Sequence, residues 1–306
     1  MAYNCVVLIK QVPDTKRITG RAMNDDGTVN RGALPAIFNP EDLNALELAL
    51  QITENFGGNV SVLTMGPPAA SQILREALYR GADYAILISD RRCAASDTLA
   101  TSYILSCAVK KLDYDIVLCG RQAIDGDTAQ VGPQLAEKLG ITQITYVEKL
   151  TELKDTTIIA RRNTGRGWQE VKAKLPVLLT VIGEANEPRP TAAKKLMKYK
   201  NARTQLEVAE ALAGQNPQAS ETEVKKLAAL AEDRCRDLEE KGLLIKLWGL
   251  DYLEPDFNWC GRDGSPTKVH RIQSIVLETK ETKDVAPTSD GVATMIHELI
   301  EEHTIG

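Results

Sequence analysis

The stretch Ile116-Val-Leu-Cys-Gly-Arg-Gln-Ala-Ile-Asp-Gly-Asp-Thr-Ala-Gln-Val-Gly-Pro133 indicates both a fold and a candidate site. Its first four residues are apolar and predict a buried strand, and Gly120 allows the chain a tight exit from that strand. A polar loop then leads into a helix predicted over residues 129–139, with Asp127 or Thr128 as its N-cap. A strand, loop and helix in this order are typical of the nucleotide-binding edge of a parallel sheet.

Two residues of this loop suit a phosphate group. Gly126 lets the backbone approach a ligand closely, and Arg121 can neutralise negative charge. The stretch has neither the GxGxxG pattern nor the P-loop pattern, so an ordinary connection between strand and helix is the alternative. Gly165-Arg166-Gly167 is a second glycine-containing loop, but Trp168 and the flanking segments indicate a hairpin turn there.

The residues around this stretch alternate between short apolar segments and helical patterns, which is typical of a parallel sheet covered by helices. The predicted strands are residues 5–9, 60–65, 84–88, 116–119 and 176–182. The predicted helices are residues 41–54, 69–79, 96–111 and 129–139. These patterns predict an α/β fold with a mostly parallel, doubly wound, Rossmann-like sheet and an extended C-terminal arm.

The second half of the chain has a different organisation. Residues 158–162 and 170–173 predict a hairpin, and a basic segment over residues 189–203 follows a proline-containing break. Residues 205–242 are charge-rich and helical in pattern, and residues 291–303 predict an amphipathic helix. We therefore expect three parts: a nucleotide-binding α/β domain over residues 1–190, a partner-facing arm over 191–262, and a C-terminal tail and helix over 263–306.

Composition excludes several classes of function. The 306 residues are 43% hydrophobic and 26% charged, with a formal net charge of -5, which argues against general nucleic-acid binding. No signal peptide and no membrane span are visible, so we expect a cytoplasmic protein. The six cysteines form no CxxC pair and the three histidines form no metal motif, so redox chemistry would need an organic cofactor.

Three more loops are expected at the same edge of the sheet as residues 120–131. They contain Lys10 after the first strand, Asn39 with Pro40 at the start of the first helix, and Met65 with Gly66 after the second strand. Each loop alone is also explained by caps and turns. The carboxyl ends of parallel strands lie together, so the convergence of these loops favours one binding site.

A series of motifs in order along the chain gives a more specific indication. The motifs are Lys10-Gln-Val-Pro-Asp-Thr15, Asn39-Pro40, Gly66-Pro67, Arg80-Gly-Ala-Asp83, Gly120-Arg-Gln-Ala-Ile-Asp125, Asn186-Glu-Pro-Arg189 and Gly264-Ser-Pro-Thr-Lys-Val269. With these motifs the chain resembles the β subunit of an electron transfer flavoprotein, over about residues 1–200 and 264–269. The resemblance implies an adenine-nucleotide α-hydrolase-like variant of the predicted fold.

The resemblance also implies a heterodimer with an α subunit that carries one FAD, while the β subunit holds an adenine nucleotide. That nucleotide is AMP in the common respiratory form and FAD in the electron-bifurcating form. The segment Asp125-Gly-Asp-Thr-Ala-Gln-Val-Gly-Pro133 is similar to the bifurcating and nitrogen-fixation-associated branch. Gly126 leaves room where a second phosphate would pass, so the expectation is FAD, with AMP as the alternative.

Carried over position by position, the resemblance implies a set of cofactor contacts and no proton-transferring catalytic residue. These contacts are Leu8, Lys10, Asn39, Pro40, Glu41, Asp42, Met65, Gly66, Gly120, Arg121, Gln122, Ala123, Ile124, Asp125, Gly126, Asp127, Thr128, Ala129, Gln130 and Val131. Asp125 and Asp127 are expected to cap backbone groups or bind ribose, because carboxylates repel phosphate.

The resemblance implies electron transfer from NADH or from a dehydrogenase, such as an acyl-CoA dehydrogenase, to further carriers. The leading hypothesis is electron bifurcation with ferredoxin or flavodoxin as one acceptor. The alternatives are a non-bifurcating subunit with structural AMP and a stand-alone adenine-nucleotide-binding module. Two departures from the family concern the partner: Ala193 stands where an apolar docking anchor is expected, and residues 201–260 form an insertion that most members lack.

Overall fold

The computed structural model describes residues 1–14, 35–215, 221–267 and 284–301. The strands are β1 (Cys5–Leu8), β2 (Gln11–Pro13), β3 (Ala36–Phe38), β4 (Val60–Met65), β5 (Tyr84–Ile88), β6 (Ile116–Gly120), β7 (Thr142–Lys154), β8 (Thr157–Asn163), β9 (Trp168–Lys174), β10 (Val177–Val181), β11 (Arg203–Thr204) and β12 (Leu244–Trp248). The α-helices are α1 (Pro40–Phe56), α2 (Ser71–Arg80), α3 (Thr98–Val109), α4 (Val131–Leu139), α5 (Ala193–Tyr199), α6 (Gln205–Gln215), α7 (Glu221–Glu240), α8 (Leu250–Leu253) and α9 (Ser289–Glu301).

One large sheet organises the described residues, with strand order β11-β12-β5-β4-β1-β6-β10-β7-β8-β9. The pairs from β11 through β7 are parallel, and β8 and β9 extend the sheet antiparallel. The chain runs from β1 outward through β4 to β5 and then returns to place β6 on the other side of β1. The order therefore reverses between β1 and β6, which is the position where open α/β sheets bind ligands.

The sheet is covered by helices on both faces. Side chains alternate along β1, so that Cys5 and Val7 pack with α1 and α2 on one face while Val6 and Leu8 pack with α3 and α4 on the other. Both sets are buried. This arrangement confirms the predicted α/β fold with a mostly parallel, doubly wound sheet.

The main sheet also takes strands from the segment that the sequence assigns to an arm. β12 pairs with β5 through Lys246 and Ile86, and β11 pairs with β12. The charge-rich pattern of residues 205–242 correctly predicts α6 and α7. The sequence analysis did not predict the short strands β11 and β12, which lie on either side of these helices. α9 begins two residues before its predicted start, and the end of the predicted helix lies outside the described residues. In the described ranges, no helix has the length and apolar character needed to cross a membrane.

Candidate functional site

A cavity of about 660 Å³ lies at the carboxyl ends of β1, β4, β5 and β6. Its volume is in the usual range for small-molecule sites, about 300–1,000 Å³. It adjoins the point between β1 and β6 where the strand order reverses. Most of the predicted contacts lie on its wall: Leu8, Lys10, Asp42, Met65, Gly66, Gly120, Arg121, Gln122, Ala123, Gly126, Asp127, Thr128, Ala129, Gln130 and Val131.

The remaining predicted contacts do not line the cavity: Asn39, Pro40, Glu41, Ile124 and Asp125. The buried Asn39 side chain donates a hydrogen bond to the Gln122 carbonyl at 2.9 Å and accepts one from the Ile124 N–H at 3.2 Å. Pro40 is the first residue of α1, where a missing N–H has no cost. The start of α1 therefore shapes the loop after β6.

Glu41 holds the same loop by a charged contact. Its carboxylate accepts a hydrogen bond from the Gln122 N–H at 3.0 Å and pairs with Arg121 at 2.9 Å. Burial raises the pKa of Glu41, against the opposing effects of the Gln122 N–H and the Arg121 charge. The guanidinium that the sequence offers to a phosphate is thus already partly neutralised within the protein.

Asp42 joins the ends of two central strands. Its buried carboxylate accepts hydrogen bonds from the Gly120 N–H at 2.9 Å and the Lys10 N–H at 2.8 Å. Burial raises its pKa to about 7, although both N–H donors favour the charged form. A Cβ on Gly120 would stand 2.6 Å from the Asp42 carboxylate, so glycine is required at this close approach. The site edge is therefore built around a buried carboxyl group.

The loop after Gly120 is held in an unusual backbone conformation. Asp127 and Ala129 have left-handed φ angles of 46° and 51°, which non-glycine residues rarely adopt. Asp127 accepts a hydrogen bond from the Gln122 side chain at 3.0 Å, and Asp125 pairs with Lys10 at 2.8 Å. In this structure both carboxylates contact neighbouring protein side chains.

Helix α4 begins later than the sequence predicts. Its N-cap is Gln130, and the prediction of Asp127 or Thr128 as the N-cap was wrong. The left-handed turn at Asp127 and Ala129 postpones the helical conformation. The Gln130 side chain does not cap the helix and instead accepts a hydrogen bond from the Thr98 hydroxyl at 2.8 Å. The start of α4 faces the cavity and suits a negatively charged group.

Gly126 lies on the cavity wall, and neither its backbone conformation nor crowding by other protein atoms requires a glycine there. Its φ angle is outside the left-handed range, so its backbone conformation does not require glycine. A Cβ at this position would meet no protein atom within 4 Å. Gly126 is exposed and lines the same cavity as the start of α4. The missing side chain leaves this part of the wall accessible to a ligand group.

Sequence reasoning missed the loop between β5 and α3, which forms another side of the cavity. The wall residues from this loop and from the start of α3 are Ser89, Asp90, Arg91, Cys93, Ala94, Ala95, Ser96, Asp97, Thr98, Thr101 and Leu105. Many of them are small and carry no obvious chemistry. The signal that could have located them is positional, since β5 ends at the same sheet edge as β4. Lys10 and Arg121 have carboxylate partners, whereas Arg91 has none within the described residues.

Comparison with known proteins gives a consistent result. Residues 26–211 match the electron transfer flavoprotein domain. The chain is 41% identical over 304 residues to the electron transfer flavoprotein subunit beta of Clostridium acetobutylicum, covering 99% of this chain and 100% of the relative. Residues 201–260 therefore fall within that alignment.

Two relatives with other names share a smaller part of the chain. Protein FixA of Sinorhizobium fredii is 48% identical over 191 residues, covering 60% of this chain and 66% of the relative. The caffeyl-CoA reductase-Etf complex subunit CarD of Acetobacterium woodii is 48% identical over 186 residues, covering 60% of this chain and 70% of the relative. With the fold and the cavity edge described above, these matches show that the chain belongs to the electron transfer flavoprotein family, as a β subunit.

Proposed function

We propose that this chain binds FAD in the cavity at the ends of β1, β4, β5 and β6, within a cytoplasmic heterodimer. In this proposal its partner is the electron transfer flavoprotein α subunit. When bound, the FAD would accept a hydride from NADH and divide the two electrons between ferredoxin or flavodoxin and the α-subunit flavin. The α-subunit flavin would then serve a dehydrogenase, such as an acyl-CoA dehydrogenase.

The observation that carries this proposal is the open space at Gly126. Neither the backbone conformation nor contacts of a Cβ require a glycine there, and Gly126 lines the same cavity as the start of α4. A diphosphate could cross the loop at this point, with backbone N–H groups as its donors. A mononucleotide would fill less of the 660 Å³ cavity than a dinucleotide such as FAD, so the size of the cavity supports the larger ligand.

The charges on the wall support a ligand that has few negative groups and that is bound mainly by backbone N–H groups of the protein. Lys10 and Arg121 are paired with Asp125 and Glu41, and the described wall retains Arg91 as a cation without a carboxylate partner. We propose that Arg91 contributes charge toward the diphosphate. The role of Asn39, Glu41 and Asp42 is to hold the loop after β6 in the shape that receives it.

Relatives support the redox part of the proposal through their names. One is a subunit of a caffeyl-CoA reductase-Etf complex, and another is the acryloyl-CoA reductase electron transfer subunit gamma of Anaerotignum propionicum, 47% identical over 188 residues. Partner docking is proposed for the region around α5, where Ala193 opens the helix and Met197 is exposed. Contact with the α subunit is proposed for the tail over residues 263–306, of which 268–283 and 302–306 lie outside the described residues.

The test is the cofactor content of this chain purified with its α subunit. Mass spectrometry and absorbance after denaturation should give two FAD per heterodimer, and anaerobic NADH should bleach the flavin absorbance of the native complex. One FAD and one AMP would contradict the proposal and indicate a non-bifurcating carrier. A monomer on gel filtration that binds ATP and no flavin would indicate a stand-alone nucleotide-binding module.

A further inference from the structure

The motif that begins at Gly264 lies against the loop between β5 and α3. The Ser265 hydroxyl accepts a hydrogen bond from the Asp97 N–H at 2.9 Å and donates one to the Gly261 carbonyl at 2.6 Å. The Gly261 N–H in turn donates to the Ser96 hydroxyl at 3.1 Å. Ser265 is buried in this contact. Residues 261–267, here called the C-terminal clasp, are therefore tied to a loop that is distant in sequence.

Asp97 is the centre of this contact and uses its two oxygens differently. Oδ1 accepts a hydrogen bond from the Ala100 N–H at 2.9 Å and so caps α3. Oδ2 accepts hydrogen bonds from the Thr267 N–H at 3.0 Å and the Thr267 hydroxyl at 2.7 Å. Although burial acts to raise it, these donors hold the pKa of Asp97 below its usual range. The charged form is thus available to make strong hydrogen bonds to the clasp.

A glycine makes the close packing of the clasp on this loop possible. Gly261 has a left-handed φ of 65°, and a Cβ there would stand 2.2 Å from the Arg92 carbonyl oxygen. A larger residue at position 261 would therefore push the clasp away from the loop. Gly264 has a different role, because a Cβ there would stand 2.3 Å from the Cys260 nitrogen, within the turn that precedes the clasp contacts. Gly261 and the polar side chains of the clasp therefore serve the same contact.

The loop held by the clasp is a wall of the cavity, to which Ser96, Asp97 and Thr98 contribute. We propose that Asp97 is a positioning residue that couples docking of the C-terminal clasp to nucleotide binding in the cavity. This inference rests on the proposed function, because it requires a nucleotide in that cavity. Coupling of this kind is reciprocal, so a nucleotide that favours the docked clasp is itself bound more tightly when the clasp is docked.

The experiment uses the full 306-residue chain and compares Asp97→Asn with the wild type. Asparagine can keep the cap on α3 through its oxygen, while its NH₂ group faces the two Thr267 donors. Thr267→Val is a second variant that removes one hydroxyl only. Thr164→Val is the matched control, because the Thr164 hydroxyl bonds to the Gly167 carbonyl in the turn between β8 and β9. FAD and AMP are titrated by calorimetry, and hydrogen exchange is followed in peptides that cover residues 93–100 and 260–267.

We expect Asp97→Asn to weaken FAD binding about 5- to 10-fold, Thr267→Val to weaken it less, and Thr164→Val to leave it unchanged. In the wild type, FAD should slow exchange over residues 260–267, and Asp97→Asn should reduce this protection. If wild-type chain binds FAD but Asp97→Asn loses only thermal stability, with unchanged affinity, the coupling is refuted and the proposed function stands. If the wild type binds neither FAD nor AMP, whether alone or with its α subunit, both proposals fail.

Discussion

Gly126 in the loop over residues 120–131 and the two glycines of the turn between β8 and β9 all have open space around them, but they serve different purposes. Gly165 and Gly167 in the turn have φ angles of 79° and 153°, so the backbone itself requires glycine. Gly126 in the cavity loop has no such requirement, and left-handed angles occur instead at Asp127 and Ala129. The glycines of the turn allow a backbone conformation that other residues rarely adopt, whereas Gly126 leaves space on the cavity wall.

The cavity loop and the turn also differ in backbone strain, measured as left-handed φ angles at residues other than glycine. Six described non-glycine residues have left-handed φ angles, and three of them, Ala95, Asp127 and Ala129, line the cavity. Each such residue costs on the order of 1–3 kcal/mol unless the surrounding structure holds it. Strain of this kind concentrates at binding sites, so the difference between the two loops itself points to ligand binding at residues 120–131.

The sharpest test of the comparison is Gly126→Val against Gly165→Val. A Cβ at residue 126 meets no protein atom within 4 Å and lies on the cavity wall, so with valine there we expect FAD affinity to fall about 100-fold and stability to change little. Valine at residue 165 must adopt a strained left-handed angle, so it should lower the melting temperature and leave FAD affinity unchanged. Calorimetric titration and thermal unfolding measure the two effects. Equal loss of affinity in both variants would remove the distinction between the loops.

The second test concerns the buried carboxyl group that holds the cavity loop. Burial raises the pKa of Asp42 from 3.8 to about 7, so the folded state binds more protons than the unfolded state between these values. The contribution of Asp42 to the free energy of unfolding should therefore be greatest below about pH 4 and be lost as the pH rises through about 7. Relative to Asp42→Asn, the wild type should lose on the order of 4 kcal/mol over this window, because each pKa unit corresponds to about 1.4 kcal/mol. Urea unfolding from pH 4 to pH 8 gives the profile.

Asp42→Asn serves as the reference in this test. The amide keeps one acceptor oxygen for the Gly120 and Lys10 N–H groups, but it carries no group that titrates in this window. A wild-type profile that parallels Asp42→Asn from pH 4 to pH 8 would mean that Asp42 does not titrate in this range.

The smallest effect is expected from relieving strain in the cavity loop. Ala129→Gly should stabilise the fold by roughly 0.5 kcal/mol, because glycine accepts the φ of 51° at the cost of a more flexible unfolded chain. It should also weaken FAD binding about threefold through lost preorganisation. Gly165→Ala should do the opposite in the turn, lowering stability by about 1 kcal/mol with no change in affinity. Tighter FAD binding by Ala129→Gly would show that the strain has no role in binding.

Apolar pattern was sufficient to locate the central strands. Val60–Met65 and Tyr84–Ile88 have the predicted bounds, because each is a short, largely β-branched or aliphatic segment between turn residues. β12 was missed because only part of it is buried and a long charged helix precedes it. β7 was missed because charged and polar residues interrupt its apolar residues and much of its length is exposed. Strands on the periphery of a sheet carry a weaker apolar signal than those at its centre.

The candidate site was predictable wherever a loop follows a recognised strand. The sequence places residues 120–131 at the cavity, but it does not reveal that Asn39 and Glu41 contact the backbone of that loop. These contacts depend on Gly120, whose missing side chain lets α1 pack against the end of β6. Such an approach depends on distances between elements, which residue pattern alone does not define.

The two ends of the large sheet bear on the solubility of the isolated chain. The outermost described strand on one side, β11, is two residues long and offers few free backbone groups. On the other side, β9 exposes Glu170, Lys172 and Lys174 along its length. Short and charged edges both discourage the pairing of one sheet with another. The subunit should therefore resist edge-to-edge aggregation during the interval between its synthesis and its assembly.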